Sequence, residues 1–250
     1  MTEAEQIRFR FLCEQENTDA VPEGDSIGTY GEKRLHRILK RFVDGGGADF
    51  EVPIGRYIAD VREGERITEI QTGSFYPLLP KLRQYLEQTE CSVTVVYPIF
   101  ADRLLLRIDP DTGEVLRKRH YRHDGRIEDV LPQIYWLREL LPSPRVTVRV
   151  LLLGVEEHRY SERVRYRRAG AYEAELFPKE LLGEVFLRTA EDYRHFLPQE
   201  IDSFDAAFYA KVGGMKPRAA NAALKVFCSM GLLRREKVGK KFVYQKQKLS

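Results

Sequence analysis

Apolar residues recur at helical spacing in Leu35, Ile38, Leu39 and Phe42, positions i, i+3, i+4 and i+7, which predicts an amphipathic helix over about 30–43. Lys33, Arg34, Arg37, Lys40 and Arg41 form a basic strip away from that stripe, suited to phosphates or simply to solvent. Three glycines, Gly45-Gly46-Gly47, follow as a turn; without a Gly-Lys-Ser/Thr ending they are no phosphate-binding loop. Shorter apolar runs then predict strands at about 49–54, 56–62 and 66–72, a helix at about 76–88 and a strand at about 92–99. Pro77 and Pro80 stand near the start of that second helix, where a missing N–H costs little. Leu104–Ile108, the turn Asp109-Pro110-Asp111-Thr112-Gly113 and Glu114–Tyr121 predict a hairpin. A helix from about 127 to 140 carries the one tryptophan, Trp136, and Val146–Val155 is apolar enough for a strand buried on both faces.

From about residue 200 the pattern changes to short helices and a ribbon. Asp202-Ser203 is suited to cap a helix containing Phe204, Phe208 and Val212, and Gly213-Gly214 ends it. Lys216-Pro217-Arg218 starts the next helix, where Ala220, Ala223, Leu224 and Phe227 make a packing stripe and Arg218, Asn221, Ala222 and Lys225 a separate face. Gly231 stops it, and Leu232–Val238, the turn Gly239-Lys240 and Lys241–Tyr244 predict a two-stranded ribbon.

Charge follows the same division. Residues 1–100 hold 12 Lys/Arg against 17 Asp/Glu, residues 101–175 hold 15 against 13, and residues 176–250 hold 14 against 8. Met215–Ser250 alone has 10 basic residues and one acidic residue, Glu236, the footprint of a phosphate-binding surface. With 250 residues and 43% hydrophobic content the chain has room for two domains and a sizeable core. The longest strongly apolar run, Val150–Val155, is too short for a bilayer span, and the acidic start Met1-Thr2-Glu3 is unlike a secretory signal, so a cytoplasmic protein off the membrane is expected. Cys13, Cys91 and Cys228 are odd in number and widely spaced, which argues for reduced thiols over a disulfide framework or zinc finger. Arg159–Arg168, with Tyr160 and Tyr166 interleaved, reads as a solvated hairpin flank or a nucleic-acid contact. His120 and His123 would point to opposite faces of a strand, a poor arrangement for a shared metal.

The acidic residues of the first half carry the candidate chemistry. Glu69 and Gln71 share one face of their strand and Ile70 takes the other; Asp60 joins Glu69's face if the connection has even parity. Glu32, three residues before Leu35, lies on the apolar stripe of its helix, where a desolvated carboxylate needs a partner and a cation is one. Each acid also has an ordinary reading: an exposed hairpin carboxylate, or for Glu32 a helix-start residue favoured by the dipole.

Helix with Glu32, hairpin with Asp60 and Glu69-Ile70-Gln71, then helix and strand together resemble the PD-(D/E)XK, restriction-endonuclease-like nuclease superfamily over about residues 28–100. The resemblance implies an α/β fold with a mixed sheet flanked by helices. It implies Asp60, Glu69 and the Ile70 carbonyl as ligands of magnesium, with manganese as a substitute, and Glu32 as a further ligand or a water-orienting group. Gln71 replaces the usual lysine and Ala59 the usual proline; glutamine holds water but adds no charge. Lys81-Leu82-Arg83-Gln84-Tyr85 puts cationic and amide groups on the next helix, and the resemblance implies Gln84 or Tyr85 facing the cleft, as in some relatives. The tail resembles a winged helix-turn-helix over roughly 45 residues. That implies Arg218, Asn221 and Lys225 at the major groove, with Lys216 at the start of the same helix, and Arg234, Arg235, Lys240 and Lys241 on phosphates.

The expected organisation is an N-terminal segment (1–27), a nuclease-like α/β domain (28–175) with a β-rich insertion around 101–145, and a helical connector with a small winged helix domain (176–250). The expected function is a magnesium-dependent DNA endonuclease, with RNA open as a substrate and a homodimer to cut both strands. The alternative is a nuclease-like DNA-binding or regulatory protein without catalysis.

Overall fold

The computed structural model describes residues 2–17, 27–160 and 173–248, with side chains of 27–33 and 173–174 outside the description. Helix α1 (Glu3–Asn17) precedes α2 (Ile27–Val43), whose stripe Leu35, Ile38, Leu39 and Phe42 is buried as its spacing requires. Strands β1 (Asp49–Ile54), β2 (Tyr57–Glu63) and β3 (Arg66–Ile70) form an antiparallel meander, and α3 (Leu78–Gln88) crosses to β4 (Ser92–Ile108), which pairs parallel with β3. Antiparallel neighbours need only tight turns, whereas the parallel pair needs a crossover, and α3 supplies it. Gly55 and Gly64 make the two hairpin turns at φ of 59° and 58°, in the left-handed region.

Strand β5 (Val115–Arg122) folds back on the second half of β4, and β6 (Val146–Tyr160) and β7 (Glu173–Leu187) complete a seven-stranded mixed sheet in the order β1-β2-β3-β4-β6-β7, with β5 added on β4. A second sheet of three strands joins β8 (Ser203–Asp205), β10 (Lys241–Lys246) and β9 (Leu233–Val238) in that order. Its helices are α6 (Ala206–Val212) and α7 (Pro217–Ser229); α5 (Ala190–Arg194) precedes them.

Four expectations change. The helix expected over 127–140 is a chain of short turns, Ile127–Val130, α4 (Leu131–Ile134) and Tyr135–Leu137, because Pro132 has no N–H to carry an α-helical ladder through. The strands expected at 92–99 and 104–108 are one strand of 17 residues. The connector expected to be helical from 176 begins as strand β7. Asp202-Ser203 does not cap α6: Ser203–Asp205 pairs with β10, and Asp205 caps instead, its side chain accepting the Phe208 N–H at 2.8 Å.

The chain divides into two compact units, each drawn from three stretches: 1–47, 98–126 and 151–184, and 48–97, 127–150 and 185–250. In the first, Phe9 meets Phe42 edge-on at 5.2 Å, and the buried Arg34 donates to Glu175 at 3.0 Å. In the second, Ile67, Leu82, Val93 and Val95 bury fully around β3, α3 and β4, and Phe227, Tyr209 and Leu224 form the core under α7. Among the described residues no helix is long and apolar enough to cross a membrane.

Candidate acidic site and basic cleft

Both halves of the chemistry expected from the sequence, apart from Glu32, lie in the second unit. The β2–β3 register pairs Val61 with Thr68, and continued by one pair it sets Asp60 opposite Glu69 on the same face. Asp60 is half-buried and its Oδ2 accepts the Ile70 N–H at 2.8 Å. Glu69 is 1% exposed. Helix α3 answers it with two side chains one turn apart, on the same face of the helix: the Tyr85 hydroxyl donates to Oε1 at 3.1 Å and the Lys81 ammonium lies 2.6 Å from Oε2.

Burial pushes the Glu69 carboxyl up to about 7, and the neighbouring Asp60 charge adds to the rise; Lys81 and the Tyr85 hydrogen bond oppose it. Burial and the facing Glu69 also raise the Tyr85 phenol, keeping it a donor. Two carboxylates that repel each other across a strand pair, with an ammonium already held against one of them, form a site with an intrinsic demand for positive charge.

Gln71 follows β3 directly. Its backbone N–H continues the ladder to Val96 O at 2.9 Å, and its side-chain Nε2 donates to Ser74 O at 2.8 Å, so the amide braces the following turn. Ile70 is buried. Gln84 points elsewhere, donating to Ile54 O at 2.9 Å. Glu32 falls within α2, and its side chain lies outside the described residues. Among the described residues no group of three or more His, Cys, Asp or Glu is placed to hold a metal ion. His120 Nε2 sits 2.5 Å from Asp102 Oδ1, and His123 occupies the turn after β5 at φ 55°. Most of the Arg159–Arg168 segment lies outside the described residues.

The predicted tail residues divide into two groups. Lys216, Arg218, Asn221 and Lys225 line one wall of a cleft of about 770 Å³, whose other wall is Ser74 and the turn Pro132, Gln133, Tyr135 and Trp136. The Lys225 ammonium lies 5.3 Å over the Tyr135 ring, and Asn221 Nδ2 donates to Pro217 O at 2.8 Å. Arg234, Arg235, Lys240 and Lys241 are exposed on the β9–β10 ribbon; Arg235 covers the Phe242 ring at 4.4 Å and Lys241 reaches Asp205 Oδ2 at 3.3 Å.

Sequence reasoning did not foresee the pairing of Lys81 with Glu69 or the aromatic wall of the cleft. The first had a signal, the four-residue spacing of Lys81 and Tyr85; the second had only the Tyr135-Trp136 pair. No curated protein and no solved structure matches the chain. A family model described as a domain of unknown function (DUF8091) matches residues 33–188, well over half of the sequence, and the chain belongs to that family.

Proposed function

We propose that the chain is a metal-dependent nuclease of the PD-(D/E)XK type, hydrolysing phosphodiester bonds of DNA, with a C-terminal winged helix that holds the nucleic acid. The observation that carries this reading is Asp60 opposite a buried Glu69 on adjacent strands, with Lys81 and Tyr85 brought to Glu69 from the crossover helix. A hairpin carrying Asp60 and Glu69, then helix α3 and strand β4, is the order of elements on which the resemblance rests. The donor set suits a hard divalent cation, since carboxylate oxygens are its preferred ligands and the pair's mutual repulsion would be relieved by it. Asp60 and Glu69 would hold magnesium or manganese, which supplies Lewis acidity toward a phosphate and an acidified water. The chain's own contribution is charge and orientation. Lys81 brings from α3 the positive charge that Gln71 lacks, Tyr85 fixes the Glu69 carboxyl, and Gln71 shapes the turn leading to the cleft. Cutting both strands of a duplex would take two copies.

A second reading has its own observation. Both Glu69 oxygens already have partners, and Gln71 spends its side chain on Ser74, which suits a nuclease-like binding protein without catalysis.

One assay separates them: plasmid, single-stranded DNA and RNA incubated with magnesium, manganese or chelator, using wild type, Asp60→Ala and Glu69→Ala. Metal-dependent products lost in both variants support the nuclease. Salt-sensitive binding without products supports the second reading, and products retained in both variants sink the proposed site.

A further inference from the structure

Three cations face two aromatic rings, Tyr135 and Trp136, across the cleft beside α7, and among the described residues no carboxylate lines it. Trp136 meets Tyr76 at 4.9 Å and Tyr135 at 5.5 Å, both edge-on, and none of these rings stacks flat on another. Ala219 and Ala222, small and three residues apart on α7, keep that wall open between the longer Lys216, Arg218 and Lys225. The cavity, about 770 Å³, is in the range of small-ligand pockets. Bases inside a duplex are stacked on their neighbours, so an unpaired base is the one that offers its face to these rings. A group that fills it has to carry negative charge and a flat apolar face together.

We propose that this cleft binds unpaired nucleotides of a single strand, the base against Trp136 and Tyr135 and the phosphates on Lys216, Arg218 and Lys225. The proposal rests on the nucleic-acid reading above and narrows it: the exposed face of α7 holds a single-stranded or splayed segment. Position ties the cleft to the acidic site. Ser74 lines the cleft and its carbonyl is held by Gln71, two residues beyond Glu69 along the chain. A strand seated on the aromatic wall therefore lies against the turn that follows β3.

Trp136 is the sole tryptophan of the chain, so its emission reports this cleft alone. The test titrates the full chain in chelator with a short oligothymidylate, an abasic oligomer of the same length and charge, and a blunt duplex, reading tryptophan emission and the anisotropy of labelled probes. Oligothymidylate is expected to quench Trp136 and the other two probes to leave it unchanged. Trp136→Ala is expected to weaken oligothymidylate binding about tenfold, the size of one lost stacking contact. Lys216→Glu with Arg218→Glu, both exposed positions, keeps the fluorophore and is expected to remove the quenching; thermal melts confirm that each variant folds. Equal quenching by the abasic oligomer, or binding with neither quenching nor sensitivity to Trp136→Ala, overturns the proposal while leaving a nucleic-acid protein. No binding by any probe overturns the nucleic-acid reading and this proposal together. Binding and quenching without hydrolysis in magnesium leaves the cleft standing and rejects the nuclease alone.

Discussion

At the scale of single residues, Glu69 has the most to reveal, because its environment makes ionisation costly. A carboxyl raised to about 7 in the folded chain but ordinary, near 4.3, in the unfolded chain binds more protons folded than unfolded between those values. Stability therefore falls as pH rises from about 4.3 to about 7 and is flat above, the reverse of the usual paired carboxylate. Glu69→Gln removes this dependence, so the melting temperature of the variant relative to wild type is expected to rise across that window, read by melts at pH 4.5, 6 and 8. A constant difference would show that Glu69 does not titrate there. Lys81→Met tests the cation beside it. Losing that charge is expected to raise the Glu69 carboxyl further and shift the pH window upward. If the nuclease reading holds, cleavage drops by about 10²–10³-fold with folding retained. That Asp60 and Glu69 share a face was readable from the sequence only as a condition on the parity of their connection; the register that meets it is set by the β2–β3 turn. For Lys81, the four-residue spacing from Tyr85 puts both on one face of α3, but that this face meets β3 depends on how Leu82 and Tyr85 bury, a tertiary matter.

At the scale of elements, the helices and strands around the acidic site follow their hydrophobic periods closely, and the departures have local causes. Pro132 broke a helix whose apolar spacing looked continuous, and the resulting turn is what presents Tyr135 and Trp136 to the cleft. Strand β7 escaped notice because Pro178 and Gly183 interrupt its pattern as strand breakers do; Pro178 keeps its carbonyl in use as the acceptor of Asn17 Nδ2 at 2.9 Å. The start of α6 shifted by three residues because Ser203, Phe204 and Asp205 gain ladder partners on β10 that no local signal announces. Asp205 then carries two duties, capping α6 and accepting Lys241. Asp205→Ala is expected to cost about 1 kcal/mol, measured by chemical denaturation at neutral pH. The cap bond holds the Asp205 carboxyl below its ordinary value, so its contribution is full above about pH 4 and fades as acid protonates it. The gap between wild type and variant should therefore narrow below pH 4, and a gap that persists there would mean packing, not the cap, is responsible.

At the scale of the whole molecule, charge is sorted along the chain, net negative over residues 1–100 and strongly positive from Met215 onward. Such sorting contributes nothing to the fold and much to the choice of partner, since a surface rich in lysine and arginine gains free energy by displacing the counterions of a polyanion. The four cations of the ribbon predicted to meet phosphates are not equivalent in this. Arg235 lies over Phe242 and Lys241 engages Asp205; Arg234, in β9, and Lys240, in the turn, are exposed. If the ribbon neutralises phosphates, replacing Arg234 and Lys240 by glutamine removes two contacts. The slope of log affinity against log salt should then shrink by about 1.4–1.8, at roughly 0.7 per contact on single strands and 0.9 on duplex. Arg235→Gln should change the slope by less for each charge lost and melt the ribbon earlier, because its stem also shields an aromatic ring. Affinity measured over a salt series on both strand forms reads all of this at once. An unchanged slope in the Arg234/Lys240 variant would make the ribbon a solvated surface and leave the α7 cleft as the phosphate-binding element. A slope change on duplex but not on single strands would assign the ribbon to flanking duplex and the cleft to the unpaired segment.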